Sequence, residues 1–258
     1  MKISEMLFNE AFEFVDNSIF LEDYIIGYGL TAALLSDGRC GVSYTLREDT
    51  LGKCEEFFKC TSSTGNPVSK IDVGMSVREI LKIGAFSPEP LTRSVAYAVL
   101  NSVFYYDESK YLKGDITKFL DVSFDDTVGI VGKIEPLIEY LKPIAWDVLV
   151  FDRNRNSEDV LPDWAIVDLL PKCTVVIITG ATVVNGTIDW ILKYVDTKRV
   201  VIVGPSTPLV KKMPVKLLAG VRVLDPKKLF KLIAHGAGTR KIIAERLVEK
   251  VVIKGGIF

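Results

Sequence analysis

Five runs rich in Val and Ile, "TVGIVG" (127–132), "WDVLVFD" (146–152), "TVVIITG" (174–180), "RVVIVGPS" (199–206) and "GVRVLD" (220–225), dominate the second half of the chain. They recur every ~20 to 30 residues with helix-patterned segments between them, the rhythm of βα units that build a doubly wound parallel sheet. Near-continuous β-branched runs suit strands covered on both faces. The expected helices cover about 133–142, 162–170, 186–195, 208–218, 226–235 and 240–250. Asp225 followed by Pro226 is a start signal: the acid caps free N–H groups, and proline at the first helical position loses no hydrogen bond.

The first half is patterned differently. Ile3, Met6, Leu7, Phe8, Ala11, Phe14 and Val15 recur at helical spacing and predict an amphipathic first helix. "YIIGYGLTAALLSDGRCGVSYTL" reads as two β-type runs around Asp37-Gly38, a dipeptide suited to a tight hairpin. A further strand is expected over Ser69–Val73, then a short helix in "SVREILKIGAF" and a longer one from Pro90. The resulting division is a small α+β domain over 1–115, an antiparallel sheet plus helices, and an α/β domain over 116–258.

At 258 residues, with 48% hydrophobic and 25% charged residues, the chain can bury a substantial core. A net charge of −1 gives no broad cationic field, so neither nucleic acid nor anionic membrane is an expected partner. No apolar run is long enough to span a bilayer, and acids interrupt the N-terminal stretch where a signal peptide would be apolar, so a cytoplasmic protein is expected. Cys40, Cys54, Cys60 and Cys173 form no C-x-x-C pair and read as buried or idle thiols. The one histidine, His235, ends a helix after the fifth strand, away from the strand-end loops, so neither Ser206 nor Cys173 has an obvious base for a nucleophilic triad.

Open parallel sheets bind ligands outside the carboxyl ends of their strands. "TGATVVNGT" offers Gly180 for close backbone approach, hydroxyls at Thr179 and Thr182, and Asn185 as a helix N-cap; "GPSTPL" offers Gly204, Ser206 and Thr207 beside stiffening prolines. Both loops belong at one end of the sheet, where they serve either as a ligand floor or only to turn the chain and cap helices. Asp152, about 20 residues after the first strand, stands where an acid often receives a ribose hydroxyl, although "GIVGKIEP" lacks a full dinucleotide or phosphate-loop sequence. Arg93, Tyr97 and Asn101 fall on one helical face, and Arg93 could offer a fork to an anion or simply form a surface ion pair.

"ITGATVVNGTIDWIL", "VVIVGPSTPL", "LAGVRVLDP" and "AHGAGTRK", in this order and spacing, resemble the heavy-metal chelation family, a family of unknown function. "GYGLTAALLSDGRCGVSYTL" and "PLTRSVAYAVLNS" are similar to the small domain that precedes it in many members. The resemblance implies an N-terminal domain like the enolase N-terminal fold, a Rossmann-like C-terminal domain and a site in the cleft between them. It places Gly180, Thr182, Asn185, Gly186 and Thr187 on one loop of that site, and Gly204, Pro205 and Ser206 on the next. His235-Gly236-Ala237-Gly238 departs from the fuller glycine run of the family.

The leading functional expectation is binding of a small polar ligand between the two domains, a heavy metal or metal complex among the candidates; the cofactor is left open, with a metal ion as a candidate. The alternatives are an enzyme using a nucleotide-derived cofactor such as S-adenosylmethionine or NAD, motivated by Gly129, Gly132 and Asp152, and a non-catalytic accessory or scaffold protein. Homo-oligomerisation is open, as is whether the chain is an enzyme.

Overall fold

A computed structural model describes residues 2–51, 70–104, 109, 111–154 and 157–256. Helix α1 (Ile3–Phe12) buries Ile3, Leu7, Phe8 and Ala11 along one stripe, as their spacing requires. Strands β1 (Leu21–Ile26), β2 (Leu30–Leu35) and β3 (Cys40–Tyr44) form an antiparallel sheet in that order. The turn from β2 to β3 uses Gly38 at φ 87°, the left-handed region its neighbour Asp37 would enter only at a cost. A short helix, α2 (Arg47–Leu51), follows. Ser76 then caps α3 (Val77–Phe86): its hydroxyl accepts the Glu79 N–H while the Glu79 carboxylate accepts the Ser76 N–H.

Helix α4 (Pro90–Val103) begins with proline at its first turn and buries most of its length. It lies so close to β3 that a Cβ on Gly41 would sit 2.2 Å from the Ala98 carbonyl oxygen. Of the strand expected over Ser69–Val73, Ser69 lies outside the described residues. The rest forms no strand; it leads through a turn to Gly74 at φ 88°.

The second sheet has eight strands: β4 (Leu112–Lys113), β5 (Thr127–Val131), β6 (Asp147–Phe151), β7 (Val160–Leu161), β8 (Val175–Thr179), β9 (Val200–Val203), β10 (Leu217–Val223) and β11 (Val248–Lys254). Its order is β4-β11-β10-β9-β8-β5-β6-β7, and the six from β10 to β7 run parallel. The five Val/Ile runs supply β5, β6, β8, β9 and β10. Helices interleave them: α5 (Glu135–Leu141), α6 (Ile166–Leu169), α7 (Ala181–Asn185), α8 (Ile188–Ile191), α9 (Pro226–Ala234) and α10 (Thr239–Ala244). The fold is thus mixed α/β, a small antiparallel sheet with helices followed by a larger, mostly parallel sheet with helices.

Several helices differ from expectation for local reasons. The one expected over 208–218 does not form: Pro208 and Pro214 interrupt the segment, and Lys216 already donates its N–H to Val200 at the start of the β10 pairing. The one expected over 186–195 starts earlier and breaks in two at Gly186, φ 79°. The one expected over 162–170 begins as a 3-10 turn after Pro162. The last stops at Ala244, and the β-branched Val248, Val251, Val252 and Ile253 continue as β11.

The chain divides into two compact units, Met1–Ser109 with Val221–Glu249, and Lys110–Gly220 with Lys250–Phe258. The first packs Leu30, Ala32, Cys40 and Val42 from its small sheet against Leu229, Ile233, Ile242, Leu247 and Val248. The second centres on Val128, Ile130, Val150, Ile177, Val201 and Leu217 of the parallel sheet, with Leu137, Ile138 and Leu141 of α5 over it.

At the amino ends of its strands, Asp126 accepts hydrogen bonds from Arg199 Nη1 (2.6 Å), Arg199 Nη2 (3.0 Å), the Thr174 hydroxyl (2.7 Å) and the Ser123 N–H (2.8 Å). These groups immediately precede β5, β8 and β9, so one carboxylate pins three strand starts. The Arg199 guanidinium, and the Ser123 and Thr174 hydrogen bonds, hold its carboxyl far below the usual carboxylate range against the opposing effect of burial.

Candidate functional site

The parallel sheet changes direction of winding at β5. From β5 the chain moves one way to β6 and β7, then returns to the other side for β8, β9 and β10. The carboxyl ends of β5 and β8 therefore form the topological switch point, where open α/β sheets hold ligands. Gly132 follows β5 at φ 96°, and a Cβ there would meet the Thr179 side chain at 2.6 Å. Only glycine fits, on both counts.

Gly180 continues from Thr179, and its N–H donates to the Val203 carbonyl (2.8 Å). A Cβ on Gly180 would lie 2.8 Å from both the Thr207 nitrogen and Thr207 Oγ1. The close approach that glycine permits here is thus by the neighbouring loop. Gly204, at φ 126°, donates to the Ala219 carbonyl and accepts the Thr207 N–H, closing the turn through Pro205 and Ser206. The strand-end turns at Gly180 and at residues 204–207 stand side by side and touch, while Ala181–Asn185 of the first expected loop forms helix α7.

The polar groups of these loops have defined duties. Thr182 is buried and its hydroxyl donates to the Thr179 carbonyl (2.7 Å). Asn185 ends α7 instead of capping the next helix: its side-chain oxygen accepts the Thr187 N–H (3.0 Å) and hydroxyl (2.7 Å) across left-handed Gly186. Ser206 and Thr207 are both buried, each 3% exposed. Thr207 Oγ1 has no hydrogen-bond partner among the described residues. An unmet hydroxyl at that depth costs about 1–3 kcal/mol and calls for an explanation.

Asp152, the candidate ribose acceptor, ends β6 at the same edge. Its Oδ2 accepts the Lys133 N–H (2.8 Å) and its Oδ1 the Asn154 N–H (2.8 Å), so the carboxylate shapes the loops after β5 and β6. Gly129 is mid-strand, where a Cβ would strike Leu170 and Cys173. It packs the sheet and belongs to no phosphate-binding turn. In the other unit, Arg93 lies over the Tyr97 ring (5.2 Å to the centroid) with Nη2 3.3 Å from the Tyr97 hydroxyl. Tyr97 is fully buried with its ring edge-on to Phe8, and Asn101 donates to the Val42 carbonyl (2.7 Å).

Among the described residues, no three or more His, Cys, Asp or Glu side chains are grouped to hold a metal ion. The switch-point loops offer neutral hydroxyls, an amide, backbone groups and the single carboxylate of Asp152, whereas heavy, soft metals favour thiolate and imidazole. Cys40 and Cys173 are buried free thiols in different units. Burial pushes the Cys40 thiol up to about 12, and burial together with the Asp147 charge pushes Cys173 up to about 11. Both are held away from the thiolate form that binds metal. Cys54 and Cys60 lie outside the described residues. The described donor set does not fit a bare heavy-metal ion.

A family model described as "Putative heavy-metal chelation" (DUF364) matches residues 115–252, and a second with the same description (DUF4213) matches residues 10–104. An uncharacterised protein of Methanocaldococcus jannaschii is 26% identical over 168 residues, which span 61% of this chain and 64% of that protein, less than two thirds of its length. A Pyrococcus horikoshii protein of unknown function from the DUF364 family superposes with a TM-score of 0.78 at 24% identity, covering 97% of this chain and 99% of its own. A Desulfitobacterium hafniense protein of the same description gives 0.74 at 22% identity, over 97% and 98% of the two chains. At these identities the structural likeness establishes the fold.

Proposed function

The chain belongs to the DUF364 family, and from that premise we propose that it binds a small polar ligand by hydrogen bonds at the switch-point loops, around Gly180, Thr182, Asn185 to Thr187 and Gly204 to Thr207. The observation that carries this reading is the buried Thr207 Oγ1 without a partner, set against Gly180 where two loops meet at the carboxyl ends of the strands. A purely structural turn would gain by placing an apolar side chain there. The heavy-metal description of the family fits this donor set through a metal complex, whose outer polar ligands meet hydroxyl and amide groups without a protein thiolate.

Elemental analysis of untagged protein, paired with native mass spectrometry, tests the proposal. A polar small molecule, with or without metal, is expected to co-purify. Thr207→Val should strip it while leaving the melting temperature unchanged or raised, because the substitution removes an unsatisfied buried hydroxyl. Stoichiometric uptake of a bare metal ion by ligand-free protein, undiminished in Thr207→Val and Asn185→Ala, would overturn the proposal.

A further inference from the structure

Charge is unevenly distributed along this chain. Over its full length 32 Lys and Arg stand against 33 Asp and Glu, yet residues 226–246 hold six basic residues, Lys227, Lys228, Lys231, Arg240, Lys241 and Arg246, against one acid, Glu245. All six are exposed. Helix α9 turns Leu229 and Ile233 into the core, so its outer face carries Lys227, Lys231 and His235 at i, i+4 and i+8, with Lys228 beside them. At 1.5 Å rise per residue, that stripe repeats every ~6 Å. Helix α10 buries Ile242 and exposes Arg240 and Lys241.

Glu245 joins the two outer faces into one surface. Its Oε2 lies 3.4 Å from Lys228 Nζ on α9 and its Oε1 2.7 Å from Lys241 Nζ on α10. The one acid of the segment is thereby shared by two lysines. Lys227, Lys231, Arg240 and Arg246 have no ion-pair partner among the described residues.

What else lies on the surface selects the partner. No large hydrophobic side chain is exposed anywhere between Pro226 and Arg246. The surface therefore lacks the apolar face that an interfacial helix sinks into a bilayer. It also lacks the aromatic or aliphatic anchors of protein interfaces, whose centres are depleted in Lys. Unpaired cations on the outer helix faces, with no exposed large apolar side chain among them, match a polyphosphate backbone. The overall net charge of −1 does not oppose this, because at physiological salt a backbone senses charges within roughly 8 Å.

We infer that the outer face of the α9–α10 helix pair binds nucleic acid through its phosphates, without reading bases. Fluorescence anisotropy of the full chain with labelled single-stranded RNA and duplex DNA of about 20 nucleotides tests this and tells the two sources of phosphate apart. With about four phosphates neutralised, affinity should fall roughly 50- to 150-fold between about 50 and 200 mM salt. The triple variant Lys227→Glu/Lys231→Glu/Arg240→Glu should lose at least about tenfold in affinity and flatten the salt slope by about 2 to 3. Circular dichroism should show it folded, since all three side chains are in solvent, and Lys82→Glu/Lys193→Glu should bind like the parent. No binding to either nucleic acid at low salt, undiminished binding by the triple variant, or equal affinity for poly-glutamate or phosphatidylserine vesicles would overturn the inference.

Discussion

At the scale of single residues, the glycines of the switch point are fixed by what their neighbours need. Gly180→Ala places a Cβ against the backbone nitrogen of Thr207, an atom that cannot swing away, and should cost about 1–3 kcal/mol in urea unfolding. Arg246 is the reverse case, a non-glycine residue held at φ 55° where α10 ends. Arg246→Gly should stabilise the fold by about 0.5–1 kcal/mol, seen as a raised melting temperature, because only the arginine pays for the left-handed backbone. Cys40 and Cys173, buried as neutral thiols, should remain unmodified when the native protein is treated with iodoacetamide and mapped by mass spectrometry. The sequence singled out Gly180 for close backbone approach. It could not say that what approaches Gly180 is the neighbouring loop, since that contact joins residues 27 positions apart.

At the scale of elements, the carboxylate that pins β5, β8 and β9 makes the parallel sheet sensitive to acid. The Asp126 carboxyl titrates far lower in the folded chain than in the unfolded one, where its value is about 3.9. Its contribution is therefore complete above about pH 5 and is lost as pH falls through the unfolded value toward the folded one. Asp126→Asn should lower stability at pH 7 by about 1–2 kcal/mol, below the roughly 1.5–3 kcal/mol range for hydrogen bonds to a charged group because Arg199 is partly exposed. Below pH 4 the stability gap between variant and parent should narrow. The five parallel strands rich in Val and Ile were legible because β-branched runs at regular spacing have few other uses. The two-residue strands β4 and β7 were not, because so short a segment carries no periodicity, and β11 was hidden behind a helix that stops at Ala244.

At the scale of the whole molecule, the unit containing the small N-terminal sheet completes its core with a distant segment. Leu229, Ile233, Ile242, Leu247 and Val248 pack with Leu30, Ala32, Cys40 and Val42. At roughly 1.5–3 kcal/mol for each large apolar side chain buried, those five residues rival the entire 5–15 kcal/mol stability of a typical domain. A fragment ending at Leu112 is accordingly expected to lack cooperative unfolding and dispersed NMR signals, although one family model matches residues 10–104 alone. A sharply folded fragment would show that Val221–Glu249 is dispensable to that core.

The two kinds of sheet, the five principal parallel strands and the pair of turns at their carboxyl ends are legible in residue order alone, because strand periodicity, turn glycines and capping residues are local physics written in consecutive positions. Three-dimensional packing is what sets Gly180 on Thr207, engages Asp152 with the backbone of its own edge, and lets Asp126 tie three strand starts together. It also brought the basic residues of α9 and α10 onto one surface. Each of these depends on how separate elements pack against one another in space, and neither composition nor periodicity encodes that packing.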